Sequence, residues 1–114
     1  MDSYTTAASK LKLMGHPVRL QILNMLRHGE ICVCHIETAL GKRQAYISQH
    51  LMTLRDAGLV KARKDGLQVY YRLSDDLVAD VLNLIAGISD QPQAEALDGC
   101  PCPQCVTVSI ATIK

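Results

Sequence analysis

The sequence predicts a small, mostly helical α+β domain, and three observations predict it. Apolar residues recur at helical spacing in several segments between residue 5 and residue 88. One strand-rich run, VKARKDGLQVYYRL (60–73), is broken in its middle by Asp65-Gly66, a strong short hairpin signal. The chain has 114 residues, with neither Trp nor Phe, which is enough for one modest core built from aliphatic side chains.

In chain order, Thr5 or Thr6 can cap a first helix that runs to Met14, with Leu11 and Met14 on one side. Gly15-His16-Pro17 breaks it, and Pro17 is suited to the first position of a second helix. Val18, Ile22, Leu23, Met25 and Leu26 form its buried stripe, and His28-Gly29 ends it. Ile31–Val33 reads as a short extended piece, followed by a helix from about Cys34 to Leu40 that Gly41 closes. In KRQAYISQHLMTLRDAGLV (42–60), Ile47, Leu51 and Leu54 make a narrow apolar seam, while Gln44, Tyr46, Ser48 and Gln49 face the other way. Two helices joined by a short turn, the second polar on its outer face and followed by a hairpin, describe a winged helix-turn-helix. A last helix, Asp75 to Ile88, starts with carboxylates that suit the helix dipole. Its surface of Leu77, Val78, Val81, Leu82, Leu84, Ile85 and Ile88 is broader than so small a domain needs, so a partner subunit is expected to cover part of it.

The net charge of +1 conceals an asymmetry. Residues 42–72 hold seven Lys and Arg against two Asp, whereas residues 73–114 hold six Asp and Glu against Lys114 alone. A basic middle beside an acidic end suits a polyanion partner. No signal-peptide pattern and no apolar run of bilayer length is visible, so a soluble, cytoplasmic protein without a membrane partner is expected. The division expected is a DNA-binding and dimerisation domain over 1–89 and a Cys-rich tail over 90–114.

Five cysteines, an odd number, point in a reducing compartment to thiol chemistry or metal binding rather than a disulfide framework. They fall in two clusters, EICVCHIE (30–37) and GCPCPQC (99–105). On an ideal helix Cys32 and Cys34 would lie about 200° apart. They can share an ion only if Cys32 precedes the helix in extended or capping geometry, where a helix N-terminus also favours the thiolate. Two thiolates are too few for As(III), Cd(II) or Pb(II), which take three or four sulfurs. Cys102 and Cys105 form a CxxC, a common two-ligand bite, and Cys100 stands two residues ahead. Residues 89–99 can extend roughly 35 Å at about 3.3 Å per residue, so the tail can reach the first cluster of either subunit. A redox alternative stays open, in which Cys32 or Cys34 closes a disulfide with the tail. So does the plainer one, in which Cys32 or Cys34 is a small buried apolar residue. A CxxC thiol oxidoreductase or metallochaperone fits poorly, because no βαβ unit surrounds Cys102 and no nucleophile–base constellation is present; nor does anything point to a small organic substrate.

Over residues 9–88 the chain resembles the ArsR–SmtB family of metal- and thiol-responsive bacterial repressors. LKLMGHPVRLQILNML, GEICVCHIETAL, ISQHLMTLRDAGLV and RKDGLQVYYRL carry the resemblance, in that order. It implies a homodimer through the first and last helices, bound to palindromic double-stranded operator DNA and released by its ligand. By position, Gln44, Ser48 and Gln49, with Tyr46 and His50, would read bases; His50 could equally be a half-buried brace of its helix. Lys42, Arg43, Arg63 and Lys64 would serve phosphates. The family's metal sites carry over only in part. Arsenic sensors place a third cysteine three residues after the CxC, where this chain has Glu37, and cadmium and lead sensors add cysteines from an N-terminal arm that is cysteine-free here. Zinc and cobalt sensors use Asp and His on the last helix, and residues 75–88 contain no His. The expected effector is therefore a thiophilic ion held by Cys32, Cys34 and tail cysteines Cys100, Cys102 and Cys105. As(III) comes first, Cd(II) and Pb(II) next, and Zn(II) is a further candidate.

Overall fold

The computed structural model describes residues 3–85, and these form five α-helices and a three-stranded antiparallel sheet. The order is α1 (Ser3–Met14), α2 (Pro17–Met25) with a 3-10 turn (Leu26–His28), β1 (Ile31–Cys32), α3 (Val33–Leu40), α4 (Gln44–Asp56), β2 (Val60–Asp65), β3 (Gln68–Leu73) and α5 (Asp76–Leu84). This is the winged helix-turn-helix that the sequence predicts.

The boundaries follow local chemistry. Pro17 does open α2, and the His16 side chain caps it by accepting from the Val18 N–H. Gly41 ends α3 with φ 63°, a left-handed conformation that a residue without Cβ adopts at little cost, and so makes the sharp turn between α3 and α4. The hairpin loop is Gly66-Leu67, one residue later than Asp65-Gly66, because Asp65 pairs with Gln68. Only Gly66 has positive φ there, as a first central residue of a II′ turn requires. Asp75 accepts from the backbone N–H groups of Leu77 and Val78 and starts α5.

Two helix starts differ from the sequence prediction. The first helix begins at Ser3, ahead of Thr5 and Thr6, and α3 begins one residue before Cys34. On α1 Met14 is buried and Leu11 exposed, because α1 packs chiefly on α2. The core lies where α2, α3 and α4 meet the sheet and α5, around Ile22, Leu23, Ile36, Ile47, Leu51 and Leu82. Of the α5 surface, Val78 and Leu82 are buried, Val81 and Ile85 are half-buried, and Leu77 and Leu84 are exposed. Ile88, and the whole tail with Cys100, Cys102 and Cys105, lie outside the described residues.

The sheet order is β1-β3-β2, so the central strand β3 touches both the short strand before α3 and the outer wing strand. Ile31 pairs with Tyr71 and Cys32 with Tyr70. That pairing pins the CxC segment to the wing.

Candidate functional site

Cys32 is the N-cap of α3, with extended backbone (φ −68°, ψ 141°), and Cys34 is in the first turn. The break in helical geometry between them is what their two-residue spacing needs if both are to face one point. They do face one point. The Sγ of Cys32 donates to Gln68 Oε1 at 3.1 Å and the Sγ of Cys34 donates to the same oxygen at 3.6 Å. Neither is in a disulfide. Cys32 is buried and Cys34 half-buried, with Gln68 of the wing lying across both. Among the described residues, no group of three or more His, Cys, Asp or Glu side chains is gathered to hold a metal ion.

Gln68 also meets a space shared with the second helix of the helix-turn-helix. With Val33, Glu37, Gln44, Ser48 and Tyr71 it lines a cavity of about 190 Å³. Glu37 is three residues after Cys34 and therefore on the same side of α3. Burial pushes its carboxyl above the usual glutamate value.

The outward face of α4 carries Gln44, Tyr46 and Gln49 exposed, with Ser48 half-buried; Lys42 and Arg43 stand exposed in the turn before it. His50 is half-buried, and its ring lies 4.7 Å from that of His16 and 4.7 Å, edge-on, from that of Tyr46. Its Nδ1 accepts from Arg19 Nε at 3.1 Å, which places the neutral ring's proton on Nε2. Desolvation, then the neighbouring His16 and Arg19, hold its pKa below the ordinary histidine value. In the wing, Lys61, Arg63 and Lys64 are exposed. Arg63 is already engaged: it forks onto Glu30 through Nε and Nη2, reaches Asp65 at 3.6 Å, and its guanidinium stacks 4.8 Å over the Tyr70 ring.

The structure therefore brings Cys32 and Cys34 together and spreads Lys42, Arg43, Gln44, Tyr46, Gln49 and Lys64 over one helix-and-wing surface. It gives His50 and Arg63 internal partners as well. Four residues that complete these arrangements, His16, Arg19, Glu30 and Gln68, were not singled out as site residues from sequence. Only His16, at a helix break before Pro17, carried a local signal.

Residues 16–62 match the family described as bacterial regulatory protein, arsR family. The chain is 44% identical over 86 residues to an HTH-type transcriptional regulator of Methanocaldococcus jannaschii, covering 75% of this chain and 97% of that one. The chain belongs to the arsR family. Another relative is the arsenical resistance operon repressor of Escherichia coli, 39% identical over 84 residues, which span 73% of this chain and 72% of the other. Among solved structures, reduced HlyU of Vibrio cholerae superposes with a TM-score of 0.73 at 38% identity, covering 77% of this chain and 93% of that one. A winged helix-turn-helix domain from Mycobacterium bovis, homodimeric in solution, superposes with a TM-score of 0.66 at 36% identity over 76% and 81% of the two chains. Membership makes this arsR-family chain a DNA-binding transcriptional regulator and not an enzyme. No helix among its described residues is long and apolar enough to cross a membrane.

Proposed function

We propose that this arsR-family regulator is a homodimeric repressor released from operator DNA by a thiophilic metal(loid) bound through Cys32 and Cys34. The observation that carries the reading is that both thiols donate to the single atom Gln68 Oε1. Their sulfurs thus converge on one point, from which a modest side-chain rotation would bring both onto one soft ion. Since two thiolates leave such an ion under-coordinated, Cys100, Cys102 or Cys105 would complete the set. As(III) is the first choice, in keeping with the Escherichia coli relative named as an arsenical repressor; Cd(II) and Pb(II) follow, and Zn(II) is last. Gln44, Tyr46, Ser48 and Gln49 would read base edges in the major groove, with His50 at the border, while Lys42, Arg43, Arg63 and Lys64 serve phosphates. Exposed Tyr4 and Leu11 on α1, with Leu77 and Leu84 on α5, support dimerisation through the first and last helices. Such a regulator works in the cytoplasm, where its thiols stay reduced.

A second reading is a redox or reactive-sulfur switch that joins Cys32 or Cys34 to a tail cysteine as a disulfide. It is favoured by the structural likeness to a V. cholerae regulator characterised in a reduced form. One experiment separates the two. Reduced protein on labelled operator DNA is titrated with arsenite, Cd(II), Pb(II) and Zn(II), then in parallel with peroxide and persulfide. The metal(loid) reading expects release by an ion under reducing conditions; release only by oxidant, reversed by dithiol, contradicts it. Cys102→Ser with Cys105→Ser should remove the response while sparing operator affinity, and a surviving response would exclude Cys102 and Cys105 from the site.

A further inference from the structure

Gln68, a residue of the wing, links the thiol pair to a cavity it shares with α4. It is the first residue of β3, follows the wing loop Gly66-Leu67 directly, and pairs with Asp65 across the hairpin. Its side chain shares a cavity wall with Gln44 and Ser48 of α4. Its one oxygen takes the protons of both thiols. We propose that Gln68 is the positioning residue that converts ligation of Cys32 and Cys34 into a change at the wing and at the start of α4. This rests on the thiophile-released reading given above.

The chemistry requires a rearrangement. When arsenite binds, each Sγ–H loses its proton and the sulfur replaces a hydroxide on arsenic. Proton and hydroxide leave together as water, and no electrons are exchanged. The sulfurs that donated to Oε1 then carry electron density instead, and an amide oxygen 3.1 Å from one and 3.6 Å from the other becomes an acceptor facing acceptors. Oε1 must leave. If the amide turns over, its NH₂ group donates to the thiolates and the oxygen points elsewhere; if the side chain withdraws, β3 loses its side-chain tie to the CxC segment and keeps only the β1 pairing. Either way the group offered toward Gln44 and Ser48 changes, and the hairpin tip beside Lys64 loses its brace. A ligand that binds better when this brace is broken must bind worse on DNA, where the wing is held in place.

The test uses full-length protein on a labelled operator selected by the wild type, with arsenite and Cd(II) titrated separately and the sulfur-to-ion ultraviolet absorption recorded. Wild type should lose operator affinity by about 5- to 150-fold on saturation. Gln68→Leu removes the oxygen and should keep the absorption band; lacking the brace, it should bind operator more weakly than wild type even without ion, and the ion should shift its operator affinity by less than about twofold. Gln68→Glu keeps the acceptor but cannot turn over a donor; it should retain the shift and bind the ion more weakly than wild type. Release of Gln68→Leu to the same degree as wild type overturns the proposal. Should the Leu variant not fold, undiminished ion affinity in Gln68→Glu overturns it instead. A wild type that neither ion releases fails earlier, at the functional reading itself, and takes this proposal with it.

Discussion

Arg63 of the wing holds Glu30, the residue before β1, with Nη2 2.7 Å from Oε1 and Nε 3.0 Å from Oε2. A charge offered by the sequence as a phosphate contact is thus also spent within the molecule, and the pairing is mutual. The hydrogen bond from Arg63 draws the Glu30 carboxyl below its ordinary pKa, and that same bond raises Arg63. Arg63 is exposed and Glu30 half-buried at the surface, so salt screens the pair and its worth to folding is small.

Glu30→Gln should therefore free Arg63 for a phosphate at little cost to the fold. The expected outcome is tighter operator binding and a salt slope steeper by about 0.9, one additional phosphate contact. Binding measured between low and moderate salt checks it; an unchanged slope would mean that Arg63 already contacts DNA while held by Glu30.

The His16–His50–Arg19 cluster predicts a pH effect. Its three basic groups come from the N-cap of α2, from α2 itself and from α4, with the Tyr46 ring on the outer side. Because the folded state holds His50 below its ordinary pKa, its contribution is fully present above about 6.5 and is lost as the pH falls below that value. Wild type should melt at a lower temperature at pH 5.5 than at pH 7.5, and His50→Gln should show a smaller drop. Equal drops would contradict the arrangement.

Asp75 caps α5 and meets Lys10 of α1 at 2.7 Å. Burial opposes its ionisation, but the Lys10 hydrogen bond, the backbone N–H groups of Val78 and Leu77, and the Lys10 charge outweigh that and lower its pKa. The benefit is present above the ordinary aspartate value and disappears as the pH falls through the lower folded one. Asp75→Ala should cost about 1 kcal/mol, a drop of about 4–8 °C in Tm. A melt within a degree of wild type would mean that the cap contributes nothing.

The scaffold was legible because its signals are local. Pro17 starts a helix, Gly41 makes a turn, and the hairpin run around Asp65 and Gly66 pairs with itself, each within a few residues. Boundaries moved where competing local options were near-equal, as with Ser3 against Thr5, or Gly66-Leu67 against Asp65-Gly66. The site was only half legible. The CxC declared itself by spacing, and the need for Cys32 to precede the helix follows from helical geometry. Gln68 did not, because it meets Cys32 36 residues away in sequence and only through the β1–β3 pairing. Two-residue strands such as β1 have no periodicity to detect. Arg19 with His50, 31 residues apart, and Glu30 with Arg63, 33 apart, are hidden for the same reason.

The role of the thiol pair is tested by operator affinity with and without arsenite for wild type and for Cys32→Ser with Cys34→Ser, under reducing conditions. Wild type should be released, and the double variant should bind operator as tightly as ligand-free wild type and stay bound when arsenite is added. Release of the double variant at the wild-type arsenite concentration would contradict that role.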